Sequence, residues 1–434
     1  MADSSRALLR KRAARPLRIT RFEVRGFRSC RYAVLLPEPD LTALVGVNGS
    51  GKSNLLQAVL LLSQLARGRF GRGEATRAIP CQIRVEFDFR GRRILYESRM
   101  GLSSESISRE EIEGATEIWN FKSLTGQDRP VLLPMSYFVS PSVSARWMAV
   151  SKQQHFLLRA RAQMRVRGYA MPDALLPRSK GGARIYECVR TIGEFCRGIQ
   201  YYSASRFTNP ANCPSSIEIE ADGRLVHQYS SGTLAEFLYD LYRSRVSDER
   251  LYQQYISIVG RTGIGLLDRI NWKAIKAPAR DVRVRPGGTV VRERKDRSIV
   301  IPTMVVRGFR LAPGQLSEGT FRSLALIFNL LSAKSDLLLL EEPEVCVHHG
   351  LLSSIVEIIK SCASRKQVIF STHSDFVLDA LEPNKVQVVR YSTNSGTRVN
   401  KLPETMSARD FKGLKTYLQE SGNLGEYWRH KGFM

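Results

Sequence analysis

The stretch Leu41–Ser53 reads LTALVGVNGSGKS. Its first five residues are largely apolar and predict a short buried strand, and an apolar helix is predicted from Lys52 to about Ala66. Between the two lies the pattern Gly-x4-Gly-Lys-Ser, whose glycines let backbone N–H groups curl around a phosphate at the positive end of the helix. The sequence therefore predicts a phosphate-binding loop between a strand and a helix.

The same pattern assigns roles to individual side chains. In such loops the lysine bridges the β- and γ-phosphates of ATP, and the hydroxyl that follows it holds Mg²⁺. Lys52 and Ser53 occupy those positions, so ATP and Mg²⁺ are the predicted cofactors. The predicted nucleotide-binding residues of this segment are Gly46, Asn48, Gly49, Ser50, Gly51, Lys52, Ser53 and Asn54.

A pair of adjacent glutamates follows a second apolar stretch. Leu337–Leu340 predicts a buried strand, and Glu341 and Glu342 come directly after it. The carboxyl ends of parallel strands gather ligands, so this pair is expected beside the phosphate-binding loop. Glu341 is predicted to support Mg²⁺ through water, and Glu342 to act as general base towards the attacking water. The alternative is a strand that ends in a solvated acidic turn.

Two further polar turns complete the predicted site. His373 follows a predicted strand, Gln367–Phe370, and is interpreted as a catalytic sensor of the γ-phosphate, although a lone histidine can be purely structural. Ser317 and Gly319 lie at the start of a helix predicted over Glu318–Leu331. One interpretation is that Ser317 serves as the N-cap of this helix and has no other role. Alternatively, this helix N-terminus binds the γ-phosphate of ATP held by another subunit.

The remaining pattern divides the chain into four segments. Alternating residues predict strands over Leu17–Leu35, with a turn near Gly26, and a hairpin over Gln82–Gly101 that turns at Arg90 and Gly91. A continuous helical pattern covers Gly232–Val259, and strands alternate with helices near the C-terminus, as in an α/β domain whose sheet is covered on both faces. The predicted segments are a basic tail (1–16), a first head part (17–142), a basic insert of helices and strands (143–309) and a second head part (310–434).

Composition adds predictions about partners and compartment. Lys and Arg total 66 against 41 Asp and Glu, a formal charge of +25. Such an excess attracts polyanions, which predicts duplex DNA as a partner, with an acidic protein as the alternative. No apolar run approaches the roughly 20 residues that cross a bilayer, and the basic N-terminus lacks an apolar signal core, so no membrane association is expected. Seven scattered cysteines without a Cys-x-x-Cys pair indicate reduced thiols of a cytoplasmic protein.

These motifs, in this order, resemble the ABC-type ATPases of the SMC and RecF kind. More closely, they resemble the OLD-like AAA ATPases of bacteria, many of which serve in anti-phage defence. The resemblance covers residues 17–66 and 310–380, where LSEGTFRSLAL and EEPEVCVHHG are similar to the family's signature and acidic motifs. The chain departs from the family at Gly26, where asparagine is common, and at Val347 and His349, which replace leucine and proline.

The resemblance implies an α/β fold, namely an ABC-type P-loop ATPase head with a mixed sheet flanked by helices and an inserted basic region. It also implies ATP hydrolysis in a homodimer or higher oligomer, with Ser317 and Gly319 acting in trans on ATP held by Lys52. Only 43 residues follow Val386–Tyr391, too few for a Toprim nuclease domain, so a separate effector protein is predicted. Alternatives are an ATP-stabilised scaffold that sequesters an effector with little turnover, a RecF-like DNA repair ATPase and a transporter subunit.

Overall fold

The computed structural model describes most of the chain, with gaps. The described residues are 17–67, 81–100, 116–120, 131–134, 180–226, 233–284, 290–332, 335–345, 347, 349–420 and 422–431. The basic tail (1–16), residues 143–179 of the predicted basic insert and His348 lie outside them. The chain forms two compact units, which are described one at a time. The first comprises Met1–Tyr201, Lys334–Glu341 and Ala363–Met434, and the second Tyr202–Ala333 and Glu342–Cys362.

The first unit contains a sheet built around parallel strands. In chain order its strands are β3 (Leu41–Val45), β8 (Gln200–Ser203, whose last two residues belong to the second unit), β13 (Leu337–Glu341), β14 (Gln367–Thr372), β15 (Val386–Ser392) and β16 (Gly396–Lys401). Their spatial order is β16-β15-β3-β14-β13-β8, with β15, β3, β14 and β13 parallel and β16 antiparallel to β15. Every residue of β3 and β14 is buried, as expected for strands covered on both faces. The predicted mixed α/β fold is confirmed.

A second, antiparallel sheet belongs to the same unit. Its strands are β1 (Arg18–Phe27), β2 (Cys30–Leu35), β4 (Cys81–Phe89), β5 (Arg92–Met100), β6 (Thr116–Asn120) and β7 (Val131–Pro134), in the order β2-β1-β4-β5-β6-β7. The predicted β4–β5 hairpin is confirmed with its two-residue turn. Arg90 and Gly91 both have positive φ, 56° and 79°, as a turn that matches the strand twist requires.

An apolar core joins these elements. The helices α1 (Lys52–Ala66) and α2 (Lys180–Gly198) pack against each other, and buried leucines of α1 contact the inner face of the antiparallel sheet. Phe87 of β4 and Phe195 of α2 meet edge to face, with ring centroids 6.0 Å apart. Burying such side chains stabilises the fold by about 1.5–3 kcal/mol each, which anchors the loop between β3 and α1 on a rigid base.

The second unit combines helices with a long hairpin. Its helices are α3 (Thr233–Ser247), α4 (Glu249–Val259), α5 (Glu318–Ser332) and α6 (His349–Ala363, whose last residue belongs to the first unit). Its strands are β9 (Ile217–Glu220), β10 (Arg269–Val284), β11 (Val290–Val306) and β12 (Phe309–Leu311). Its core contains four aromatic rings in contact. The ring centroids lie 5.5–5.8 Å apart in the pairs Phe237–Phe321, Phe237–Phe328 and Tyr255–Phe328.

One predicted helix is interrupted. The helical pattern over Gly232–Val259 is two helices, because Asp248 leaves the helical conformation and its side chain accepts the N–H of Leu251 at 3.2 Å. Aspartate is a strong N-cap, and its preference for that role ends α3 and starts α4.

The C-terminal segment holds elements that the sequence analysis left unassigned. These are β16 and the helices α8 (Ala408–Gln419) and α9 (Leu424–Lys431), whereas α7 (Asp375–Asp379) is one of the helices predicted to alternate with strands near the C-terminus. Gly425 of α9 approaches α7 so closely that an added Cβ would lie 2.1 Å from the carbonyl oxygen of Asp375. Within the described ranges, every helix is too short or too polar to span a bilayer.

Candidate nucleotide site

The register of three parallel strands brings the predicted motifs to one edge of the sheet. Val45 of β3 lies opposite Thr372 of β14, and Ser371 lies opposite both Leu44 and Glu341. The three strands therefore end together. The glycine-rich loop follows β3, His373 follows β14, and Glu341 is the last residue of β13, with Glu342 next in the chain. This carboxyl edge is where parallel α/β sheets bind ligands.

The glycine-rich loop is wrapped around the ammonium group of Lys52. The Lys52 side chain is only 4% exposed, and its Nζ donates to the carbonyl oxygens of Gly46 at 2.8 Å and Val47 at 3.2 Å. The helix α1 starts at this lysine, with no side-chain cap and no acidic residue in its first turn. The helix dipole and the ammonium thus concentrate positive charge at one point, which fits a bound phosphate group.

The two ends of the loop differ in exposure. Val47, Asn48 and Gly49 form an exposed tip, whereas Ser50 is buried at the base. Gly49 and Gly51 have φ values of 81° and 101°, in the region that glycine adopts without strain. The predicted loop conformation therefore depends on glycine at both positions.

A chain of hydrogen bonds supports the loop from behind. Asn54 Nδ2 donates to Ser29 Oγ at 2.7 Å, and Ser29 Oγ lies 2.8 Å from Thr397 Oγ1. The Thr397 hydroxyl donates to the carbonyl oxygen of Ser50 at 3.1 Å, so Ser29 must be the donor to Thr397. Asn54, predicted to bind nucleotide, is placed by the structure in this supporting chain.

Gly51 lies against Thr397 of this hydrogen-bond chain and Gly49 does not, although both have positive φ, so the two glycines allow a controlled stability test. A Cβ added to Gly51 would lie 2.0 Å from Thr397 Oγ1, whereas one added to Gly49 would meet nothing within 4 Å. Gly49→Ala should cost about 1–2 kcal/mol, the strain of positive φ alone. Gly51→Ala should cost about 1–3 kcal/mol more, because it also forces Thr397 away. Urea unfolding of both variants measures the difference, and equal losses would show that the Thr397 contact is unimportant.

Glu341 is constrained through its side chain, and Glu342 adopts an uncommon backbone conformation. The hydroxyl of Tyr201 donates to Oε2 of Glu341 in a short hydrogen bond. Glu342 follows with φ at 45°, a left-handed conformation that is uncommon for a residue with a Cβ. Strain of this kind concentrates at functional positions.

The donor chemistry at this edge fits Mg²⁺. Ser53 lies half-buried in the first turn of α1, and Glu341 is half-buried at the end of β13. Among the described residues, no group of three or more His, Cys, Asp or Glu side chains is arranged to hold a metal ion. Mg²⁺ in phosphate-transfer sites uses one or two protein oxygens together with phosphate and water, so an all-protein cage is not required.

His373 stands at the exposed end of a structured turn. Thr372 Oγ1 accepts the N–H of Ser374 at 3.1 Å, and Ser374 Oγ accepts that of Val377 at 3.4 Å. Ser374 thus caps α7, and its position leaves His373 exposed directly after β14. The structure therefore places the histidine at the same sheet edge as Lys52 and Glu341.

Ser317 and Gly319 lie in the second unit, at the start of α5. Ser317 Oγ accepts the N–H of Thr320 at 3.3 Å and pairs with the Thr320 hydroxyl at 2.8 Å. Ser317 is therefore the cap of this helix, as predicted, and its side chain is exposed.

Sequence reasoning missed Tyr201 and Thr397. Thr397 lies in a short strand whose pattern carries no motif, and Tyr201 lies 140 residues from the glutamate that it contacts. Ser29 lies close to the turn predicted near Gly26, but nothing local in the sequence indicated its contact with Thr397, 368 residues away.

Comparison with known proteins gives short and long matches. Over 44 residues, 10% of this chain, the protein is 39% identical to the DNA replication and repair protein RecF of Shewanella sp. (strain W3-18-1), and the match spans 12% of that relative's length. A solved SMC head bound to the C-terminal winged-helix domain of ScpA has a TM-score of 0.45 at 13% identity, covering 89% of this chain and 99% of that one. A second solved structure is an SMC head domain with an extended coiled coil, bound to the C-terminal domain of ScpA derived from Pyrococcus furiosus. Its TM-score is 0.44 at 13% sequence identity, and the match covers 93% of this chain and 100% of that one.

A family match covers more of the chain. The family described as "AAA domain, putative AbiEii toxin, Type IV TA system" matches residues 41–201 and 291–379. These two stretches include the glycine-rich loop, the helix start at Ser317, the acidic pair and His373. Because they make up more than half of the chain, the protein belongs to this AAA-domain family.

Proposed function

We propose that the protein binds ATP with Mg²⁺ at the carboxyl edge of the parallel sheet and hydrolyses it to ADP and phosphate. The observation that supports this most strongly is the register Val45–Thr372 and Ser371–Glu341, which sets three motifs side by side. Membership of the AAA-domain family agrees with it.

Each side chain has a proposed role. Lys52 and the amides at the start of α1 bind the phosphates, and Ser53 and Glu341 hold Mg²⁺, which when bound neutralises charge on the phosphate oxygens. Glu342 accepts the proton of the attacking water. His373 contacts the terminal phosphate from the neighbouring strand end.

We further propose that the working form is a homodimer or higher oligomer. Ser317 is an exposed helix cap, and a helix N-terminus is suited to an anion supplied by a second copy. In this arrangement Ser317 and Gly319 complete the site of Lys52 across an interface. The family description names a toxin and a toxin–antitoxin system. As part of the same proposal, the protein controls a separate effector in the cytoplasm, in an anti-phage setting.

The test of this function is phosphate release by the purified chain over a range of protein concentrations. A composite site requires association, so the rate per chain should rise with concentration until the oligomer is saturated. A rate equal to that of buffer, together with tight retention of ATP, would favour the scaffold alternative instead.

Duplex DNA is the proposed polyanionic partner. The chain's formal charge is +25, and the long hairpin carries Arg292, Arg294 and Lys295 on β11. Arg294 of β11 pairs in register with Arg280 of β10, so both strands of the hairpin carry cationic residues. A clustered excess of Lys and Arg attracts polyanions, which supports DNA phosphates as the ligand of this segment.

Charge reversal on the hairpin is expected to weaken DNA binding. Arg292 and Arg294 are two residues apart and share a face of the strand, whereas Lys295 belongs to the other face. The pair Arg292→Glu with Arg294→Glu should therefore reduce affinity more than Lys295→Glu, and should lower the slope of log affinity against log salt by about two. Fluorescence anisotropy with labelled duplex at several salt concentrations measures both.

A control with the same charge change lies on α8. Arg409 and Lys412 are exposed there, and Arg409→Glu with Lys412→Glu alters the net charge equally. If this control weakens binding as much as the hairpin pair, the contribution is general charge and the hairpin is not the DNA surface.

A further inference from the structure

We propose that Tyr201 is a positioning residue for Mg²⁺: it holds the carboxylate of Glu341 in the orientation that supports the ion. This inference rests on the proposed function, since it concerns how the same site acquires its metal. It assigns a task to β8, a strand that no nucleotide-site motif includes.

The tyrosine is well placed to fix a carboxylate. Its ring packs, half-buried, against the apolar core of the first unit, and its hydroxyl donates to Oε2 of Glu341. A phenol that donates to a charged carboxylate forms one of the stronger hydrogen bonds in proteins. Because the ring packs against the core and the backbone belongs to β8, the position of the hydroxyl is fixed relative to Glu341.

Glutamate at this position explains the need for such a partner. Glu341 stands where related P-loop sites have aspartate, and its carboxylate is one methylene further from the backbone. The additional torsion gives the carboxylate more orientations, and ordering them costs free energy. A carboxylate has about four acceptor positions, so a bond to Tyr201 is compatible with another contact to water around a cation. Partners of this kind commonly change metal affinity by about 10–100-fold when they are removed.

The test is Tyr201→Phe, which removes the hydroxyl and keeps the ring in the core. Its matched control is Tyr417→Phe, because Tyr417 also donates to a glutamate, Glu426, at 2.6 Å between α8 and α9. For both variants and the unmodified chain, binding of a fluorescent ATP analogue and ATP hydrolysis are measured against Mg²⁺ concentration, with EDTA as the metal-free reference. Thermal unfolding without ligands reports on folding.

We expect Tyr201→Phe to raise the Mg²⁺ concentration for half-maximal effect by about tenfold in both binding and hydrolysis. Metal-free nucleotide binding should stay as in the unmodified chain, and Tyr417→Phe should leave the Mg²⁺ dependence unchanged. An unchanged or lower Mg²⁺ requirement in Tyr201→Phe, or an equal rise in the control, would overturn the proposal. If the unmodified chain neither binds nor hydrolyses ATP, the proposed function itself fails, and this outcome is distinguishable from the others.

Discussion

Replacing Lys52 with alanine is expected to reduce ATP affinity by at least about 100-fold and to abolish hydrolysis. The ammonium lies inside the loop, bonded to the carbonyl oxygens of Gly46 and Val47, where phosphate oxygens are expected to take it over. Hydrogen bonds to charged groups contribute about 1.5–3 kcal/mol each, and a lysine between two phosphates makes more than one. Titration calorimetry with ATP and Mg²⁺ measures the loss.

A second variant separates charge from packing. Lys52 is buried, so its truncation to alanine also removes an aliphatic stem from the base of α1. Lys52→Met keeps most of that stem and removes the ammonium with its two hydrogen bonds, so its unfolding midpoint should lie closer to that of the unmodified chain than that of Lys52→Ala, while ATP binding is lost. If Lys52→Met binds ATP normally, the loop is not the phosphate site.

Lys52→Ala also tests whether the site is shared between two chains. Ser317→Arg places a large side chain at the start of α5 and should also be inactive alone. In a mixed dimer, one site combines the intact Lys52 of this variant with the intact Ser317 of Lys52→Ala. Mixing the two inactive proteins should therefore restore part of the phosphate release. No recovery, with both variants folded and dimeric by light scattering, would place Lys52 and Ser317 outside any composite site.

The sequence predicts the local parts of this site well because local rules determine them. The strand Leu41–Val45 and the helix Lys52–Ala66 have the predicted bounds, since the apolar run and the glycine pattern act within a few residues. The turn at Arg90 and Gly91 is predictable for the same reason. Even the departure at Gly26 has a local explanation, because φ there is 70°, a region that both glycine and asparagine tolerate.

Contacts between distant segments could not be predicted. The hydrogen bonds from Tyr201 to Glu341 and from Thr397 to Ser50 join residues 140 and 347 positions apart, and no periodicity records such pairs. The strand that carries Thr397 is also mostly polar, so it lacks an apolar pattern. The loop motif was therefore visible in the sequence, while the side chains that hold it in place required the structure.

Replacing Glu342 with glutamine is expected to slow hydrolysis by about 10²–10⁴-fold while ATP remains bound. Glutamine has the shape of glutamate but does not accept a proton, so it removes the general base with little change in volume. It also retains a Cβ, so the strain of the positive φ at this position is present in both proteins. The unfolding midpoint should therefore stay close to that of the unmodified chain.

Trapped ATP should also change the assembly. Because the composite site closes on ATP and opens after hydrolysis in the proposed mechanism, Glu342→Gln should shift towards the oligomer in the presence of ATP and Mg²⁺. Single-turnover hydrolysis measures the rate, and size-exclusion chromatography with light scattering measures the assembly. Glu357→Gln is the matched control, since Glu357 lies on α6 in an exposed ion pair with Lys360. If Glu342→Gln hydrolyses ATP as fast as this control, another residue is the base, and the strained backbone at Glu342 serves a different purpose.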